Sequence, residues 1–201
     1  ENKNCLITGA TGGLGINLAK VFLKNNCNIF LTSTNKLKLQ KLKNELEKRN
    51  ENNCKIIYEY GDLTKNSDIK KIIKTIRKKF KTIDIVINNA GLFLSKPISK
   101  SKIDEFQNIF DVNVKAPFLF SKEFSQDMKK KKWGRIVNIG SSSSYQGFSE
   151  GSIYCASKHA LLGLSRSLYA ELKEDKIRTF CISPGSIKTD MGKQDKKQNY
   201  K

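Results

Sequence analysis

Short apolar runs alternate with longer segments of helical periodicity along the whole chain. The runs Asn4–Thr8, Asn28–Ser33, Lys55–Tyr60, Ile83–Asn88, Arg135–Ile139 and Ile177–Ser183 read as strands. They are short and rich in Ile, Val, Leu and Phe, as expected of buried strands. Between them, Leu14–Lys24 repeats Leu14, Leu18, Val21 and Phe22 at helical spacing. Lys36–Lys48 places Leu39, Leu42 and Leu46 on one helix face, and Ser67–Phe80 repeats Ile69, Ile72, Ile73 and Ile76. Asp104–Lys132 reads as one long helix kinked around Pro117, and Ile153–Lys173 is strongly helical. Strands separated by helices imply parallel pairing through right-handed crossovers, hence an α/β doubly wound sheet with helices on both faces. There is no internal repeat or domain boundary; residues 1–191 read as one domain and 192–201 as a polar, aperiodic tail.

Composition narrows the function classes. With 201 residues the chain can bury a substantial core. No apolar run is long enough to span a membrane and no signal peptide opens the chain, which favours a cytoplasmic location. The chain starts at Glu1, directly against the first apolar run, and reads as a fragment. The five cysteines are dispersed, without the paired spacing of a disulfide framework or zinc site, and His159 is the single histidine. They read as reduced apolar residues, Cys155 beside Tyr154 being the nearest to an exception. The net charge of +19 is carried mostly by Lys scattered over every helix. Without an aromatic stripe it reads as solvated helix faces rather than a nucleic-acid surface.

The first strand runs into Thr8-Gly9-Ala10-Thr11-Gly12-Gly13-Leu14-Gly15, and a helix follows. Glycines at such a turn let backbone amides approach a pyrophosphate, whose charge the helix N-terminus stabilises. The fold is therefore Rossmann-type, with Gly9, Thr11, Gly12, Gly13, Leu14 and Gly15 as candidate cofactor contacts. Strand two ends without the carboxylate that would bind the ribose of NAD; Ser33 and Thr34 stand there instead. This favours NADP(H), with Lys36 or Lys38 as a source of charge, and leaves NAD(H) as the alternative.

Asn88-Asn89-Ala90-Gly91 closes strand four, Asp62 follows strand three, Tyr154-Cys155-Ala156-Ser157-Lys158 forms a Y-x-x-x-K, and Pro184-Gly185 follows strand six. In this order and over nearly the whole chain, these motifs resemble the classical short-chain dehydrogenase/reductase family. The beta-ketoacyl carrier-protein reductase branch is the nearest in appearance. The glycines alone also fit the extended branch, with its sugar-nucleotide epimerases. Tyr154 and Lys158 lie one turn apart on one helix face. A free tyrosine has a pKa near ~10, so a nearby ammonium and a positively charged nicotinamide would be needed to bring it towards neutrality.

The resemblance implies Tyr154 as proton donor or acceptor, and Lys158 as its electrostatic partner and ribose anchor. It implies Ser141, thirteen residues before Tyr154, as the substrate-oxygen ligand, and Asn113 as the anchor of a water leading to Lys158. Ser143 is the closest competitor in the row Ser141–Ser144. Further implied cofactor contacts are Asp62, Leu63, Asn89, Ala90, Gly91, Pro184, Gly185, Ile187 and Thr189. The expected substrate is a small-molecule or carrier-bound carbonyl compound, with a carrier-bound beta-ketoacyl group as the first choice. Lys132 matches a basic position of the carrier-docking branch, whereas Asp175 falls where another base would be expected. The resemblance also implies a homodimer or homotetramer for the full-length protein, a substrate lid that starts in residues 192–201, and one more helix and a final strand beyond Lys201. The alternatives are an extended-type epimerase or dehydratase, a non-catalytic NADP-sensing regulator, and a basic nucleic-acid module.

Overall fold

The computed structural model describes residues 2–185. Ile187, Thr189 and the tail lie outside the described residues. Six parallel strands form one sheet in the order β3-β2-β1-β4-β5-β6. They are β1 (Asn4–Thr8), β2 (Asn28–Ser33), β3 (Ile56–Tyr60), β4 (Ile85–Asn88), β5 (Gly134–Ile139) and β6 (Ile177–Ile182). The helices are α1 (Gly13–Lys24), α2 (Lys36–Glu47), α3 (Asn66–Phe80), α4 (Ile103–Phe110), α5 (Ala116–Lys131) and α6 (Ser152–Leu172). This is the doubly wound Rossmann-type sheet that the alternating pattern predicts. No helix among the described residues is long and apolar enough to cross a membrane.

Side chains alternate across each strand, so the sheet feeds two cores. Cys5, Ile7, Ile29, Leu31, Ile85 and Ile87 pack on one face with Leu39, Leu42 and Leu46 of α2. Leu6, Phe30, Val86 and Ile136 pack on the other with Ile69, Ile72 and Ile76 of α3 and Phe120 and Phe124 of α5. All five cysteines are free thiols, and four, including Cys155, are buried. Burial raises the Cys5, Cys27 and Cys54 thiols above their ordinary pKa.

Two expectations are corrected. The fully buried stripe of α1 is Gly15, Ala19 and Leu23; the expected Leu18 and Phe22 pack partly buried against the core, while Val21 is exposed. Small residues face the sheet because the helix packs close to the strand turn; large apolar residues alone misplace the stripe. The expected long helix divides into α4, a π-helical turn at Asp111–Lys115, and α5. The distortion precedes Pro117 rather than centring on it. Proline has no N–H to give the Asn113 carbonyl four residues earlier, which favours a wider turn there.

Gly15 is the tightest point of the packing. A Cβ there would lie 2.3 Å from the Gly9 carbonyl oxygen and 2.8 Å from the Ala10 Cα, both backbone atoms. At Gly12 the nearest atom would be the Gly9 oxygen at an ordinary 3.4 Å. Gly15→Ala should therefore destabilise the fold by about 1–3 kcal/mol, whereas Gly12→Ala should stay within about 1 kcal/mol of the parent. Urea unfolding of the two variants decides; equal losses would contradict this packing.

Candidate active site

β1 and β4 lie side by side at the centre of the sheet, and their following helices go to opposite faces. In a doubly wound sheet this switch point, at the carboxyl edge, is where ligands bind. Gly9 has φ of +62°, and a Cβ on it would lie 2.8 Å from the Ala90 Cα. The Thr8 hydroxyl accepts hydrogen bonds from the Asn89 and Ala90 amides at 3.0 and 2.9 Å. The Asn89 side-chain amide donates to the Thr8 and Gly9 carbonyls at 2.9 and 3.1 Å. Asn89 thus ties the two turns together with its side chain, a role its place in the motif did not disclose.

Next to this knot, α1 starts at Gly13 without a side-chain cap or an acidic residue in its first turn. Gly12 and Gly13 are exposed. Free N–H groups at an open helix N-terminus suit a pyrophosphate, so the residues present fit the cofactor the motif implies. The Thr11 and Ser33 hydroxyls lie 2.6 Å apart, joining the glycine loop to the end of β2. Thr34 follows Ser33 beyond the strand. Lys36 places its ammonium 5.5 Å from the Tyr60 ring. Asp62 spends one carboxylate oxygen on the Thr64 amide and hydroxyl at 3.0 and 2.8 Å. The Leu63 side chain is buried in the core, leaving its backbone for any contact.

On α6, Tyr154, Ser157 and Lys158 are all buried. The Lys158 ammonium sits 5.7 Å from the Tyr154 ring centroid and donates to the Ile139 carbonyl at 2.8 Å. Asn113, in the π-helical turn, donates to the Ser157 hydroxyl at 3.0 Å. Its amide also brackets Leu92, accepting from the Leu92 amide at 2.8 Å and donating to its carbonyl at 2.9 Å. A Cβ on Gly91 would be 3.5 Å from the Asn113 Oδ1 and 3.7 Å from the Lys158 Nζ, so Gly91 borders both. The structure therefore gathers Asn113, Tyr154 and Lys158 at the ends of β4 and β5.

The serine row separates by burial. Ser142 is exposed, Ser143 and Ser144 are buried, and Ser141 is half-buried. Of the row, Ser141 is the one whose side chain acts on the Tyr154 hydroxyl, lowering its pKa. The Ser141 oxygen also accepts from the Ser143 amide at 3.1 Å, and its own amide donates to the Ser144 hydroxyl at 3.2 Å. Ser144 is therefore a support for Ser141 rather than a bystander. The Pro184 carbonyl accepts from the Ser142 amide at 3.0 Å, bringing Pro184-Gly185 to the same edge.

Burial raises the Tyr154 hydroxyl above its ordinary pKa, and the Ser141 hydrogen bond opposes this in part. The sequence suggested a lowering by Lys158; among the protein's own groups Ser141 is the one that lowers it. Burial pushes Lys158 down to about 8.

Two features have no signal in the linear sequence. Phe93 and Phe148, from different loops, surround Tyr154; the Phe93 ring meets it edge-on at 4.9 Å. Beneath the site, the Asn88 amide donates to Asn138 at 2.7 Å and the Asn138 amide to Ser165 at 2.8 Å. This buried chain links β4, β5 and α6 and so sets the helix that carries Tyr154.

The family model described as short chain dehydrogenase matches residues 3–200. A 3alpha-hydroxysteroid dehydrogenase of Mediterraneibacter gnavus is 34% identical, over 95% of this chain and 76% of its own length. A 3-oxoacyl-(acyl-carrier-protein) reductase of Rickettsia typhi is 32% identical, over 94% of this chain and 74% of its own. The crystal structure of a metagenomic short-chain oxidoreductase in complex with NADP superposes with a TM-score of 0.85. It is 28% identical and covers 92% of this chain and 82% of that one.

The buried ammonium makes stability depend on pH in a defined direction. Below about 8, Lys158 is protonated in both the folded and the unfolded chain. Between that value and the ordinary lysine pKa near ~10.4, only the unfolded chain holds the proton, so stability rises with pH. The parent should gain up to about 3 kcal/mol relative to Lys158→Met across this window. Urea unfolding of both at a series of pH values checks it; a pH-independent difference would contradict the depressed pKa.

Proposed function

Because the chain belongs to the short-chain dehydrogenase family, we propose that it interconverts a ketone and a secondary alcohol, with NADP(H) as cofactor and Tyr154 as the proton carrier. The observation that carries the reading is buried Tyr154 with the Lys158 ammonium beside its ring and Ser141 acting on its hydroxyl.

The glycine loop Gly9, Thr11, Gly12, Gly13, Leu14 and Gly15 would hold the pyrophosphate, and Asp62, Leu63, Ala90 and Gly91 would border the adenosine and ribose. When bound, the nicotinamide supplies or accepts the hydride. In the reductive direction, Ser141 and Tyr154 both hydrogen-bond the carbonyl oxygen, and Tyr154 gives its proton to the alkoxide as charge develops. The protonated Lys158 stabilises the phenolate left behind, and solvent returns the proton by way of Lys158 and the Asn113 turn. Alcohol oxidation runs the same proton path in reverse. A Tyr154 pKa raised by burial keeps the donor protonated at neutral pH, which suits reduction.

NADP(H) is favoured because Thr11 and Ser33 offer two hydroxyls and no carboxylate where a 2′-phosphate would lie; NAD(H) is the alternative. The NADP bound to the metagenomic relative supports this choice. For the substrate, the Rickettsia relative points to a carrier-bound β-ketoacyl group. Lys132, whose position favoured such a carrier, is ion-paired with Asp175, which weakens that support. The small-molecule ketone is therefore preferred. A homodimer or homotetramer remains the proposed assembly of the full-length protein, supported by exposed Ile103, Phe106 and Phe118 on α4 and α5.

Ser141→Ala should lower kcat by about 10²–10³ while NADPH binding stays nearly unchanged. Ser142→Ala should stay within about threefold of the parent, and Ser144→Ala should fall between them, since it loses one support of Ser141. A series in which Ser143→Ala is severe and Ser141→Ala mild would overturn the assignment. For the cofactor, kcat/KM should favour NADPH over NADH in the parent and shift towards NADH in Ser33→Asp, through repulsion of the phosphate. An NADH preference of about tenfold in the parent, some 1.4 kcal/mol, would refute the cofactor reading.

A further inference from the structure

Two phenylalanine rings lie beside the ring of Tyr154, whose hydroxyl carries the proton. Phe93 stacks on Phe148 at 6.2 Å and meets Tyr154 edge-on at 4.9 Å, and Phe148 lies 6.5 Å from Tyr154. Neither phenylalanine belongs to the two cores, and both are only half-buried. Their remaining apolar surface faces outward beside the reacting group.

The rings are held in place by the same parts that build the site. Asn113 brackets the Leu92 backbone from both sides, which fixes Phe93 relative to Tyr154. Phe148 lies against Gly151, where a Cβ would come within 2.5 Å of its ring. Glu150, between them, adopts a left-handed φ of 65°, a conformation that costs a residue with a side chain about 1 kcal/mol or more. The two loops are joined where the Lys96 amide donates to the Glu150 carbonyl at 2.7 Å. Lys96 turns its charge to Glu105 at 2.7 Å, and Leu92 and Tyr145, on the same two loops, are exposed.

We infer that Phe93 and Phe148 are specificity-determining residues, forming a wall that selects ketones or alcohols with a flat apolar ring next to the reacting carbon. This rests on the ketone/alcohol reading of the site. A ring laid against the wall buries apolar area and finds edge or face partners. A polyhydroxylated chain would give up water there without gaining hydrogen bonds.

The test compares 1-tetralone, hydroxyacetone and acetoacetyl coenzyme A as substrates with NADPH, in the parent, Phe93→Ala, Phe148→Ala and Gly151→Ala. Thermal unfolding and NADPH binding verify each variant's fold. The parent should favour 1-tetralone over either other substrate by about tenfold or more in kcat/KM, and each variant should cut the tetralone-to-hydroxyacetone ratio roughly five- to tenfold, the scale of one lost aromatic contact. Gly151→Ala should follow Phe148→Ala, because it displaces the same ring. Calorimetric binding of 1-tetralone to the NADP-loaded protein reads the wall without turnover. Binding by the parent that the variants lose, with no ketone reduced, would support the wall and overturn the redox reading. Turnover of all three substrates in proportions the variants do not change would overturn the wall and keep the redox reading. No binding of 1-tetralone by the parent would also overturn the wall.

Discussion

At the carboxyl edge of the sheet, the Thr8 hydroxyl takes up the Asn89 and Ala90 amides while the Asn89 side chain takes up the Thr8 and Gly9 carbonyls. These bonds hold the turn after β1 against the turn after β4, and most of the site depends on that closure. It brings Gly9 within reach of Ala90, leaves the α1 N-terminus open, and sets Gly91 between Asn113 and Lys158. Buried backbone groups need partners, and here two side chains supply them where the strands no longer pair.

The other half of the site is carried on α6 and has an energetic cost. Lys158 is buried against a carbonyl, with its pKa depressed, which a merely structural residue would not require. The polar chain Asn88–Asn138–Ser165 lies below it, where apolar residues would pack more simply. Both features fix α6, and with it Tyr154, relative to β4 and β5. Positional rigidity of this kind is what proton transfer to a developing alkoxide demands.

The fold was readable because the strands are continuous apolar runs and α2 and α3 carry regular Leu and Ile stripes. Asn113, Ser141, Tyr154 and Lys158 were implied by the family resemblance, and the structure brings them to one edge. What escaped depends on shape or on distant pairing. The α1 stripe was read only in part, with Leu18 and Phe22 packed on the core but Gly15 and Ala19 missed because they bury without being large. The π-helical turn escaped because Pro117 acts on a carbonyl one turn earlier. Asn89 looked like a cofactor contact, and only its partners show it tying two turns. Phe93 and Phe148 meet across two loops, and nothing local marks either as a neighbour of Tyr154.

The central claim is that Tyr154 transfers the proton at a site that binds the cofactor independently of it. The direct measurement is Tyr154→Phe, comparing NADPH affinity with single-turnover reduction of a ketone the parent accepts. The account predicts an NADPH Kd within about twofold of the parent and a reduction rate lower by about 10²–10⁴. A variant that reduces the ketone at close to the parental rate would contradict it.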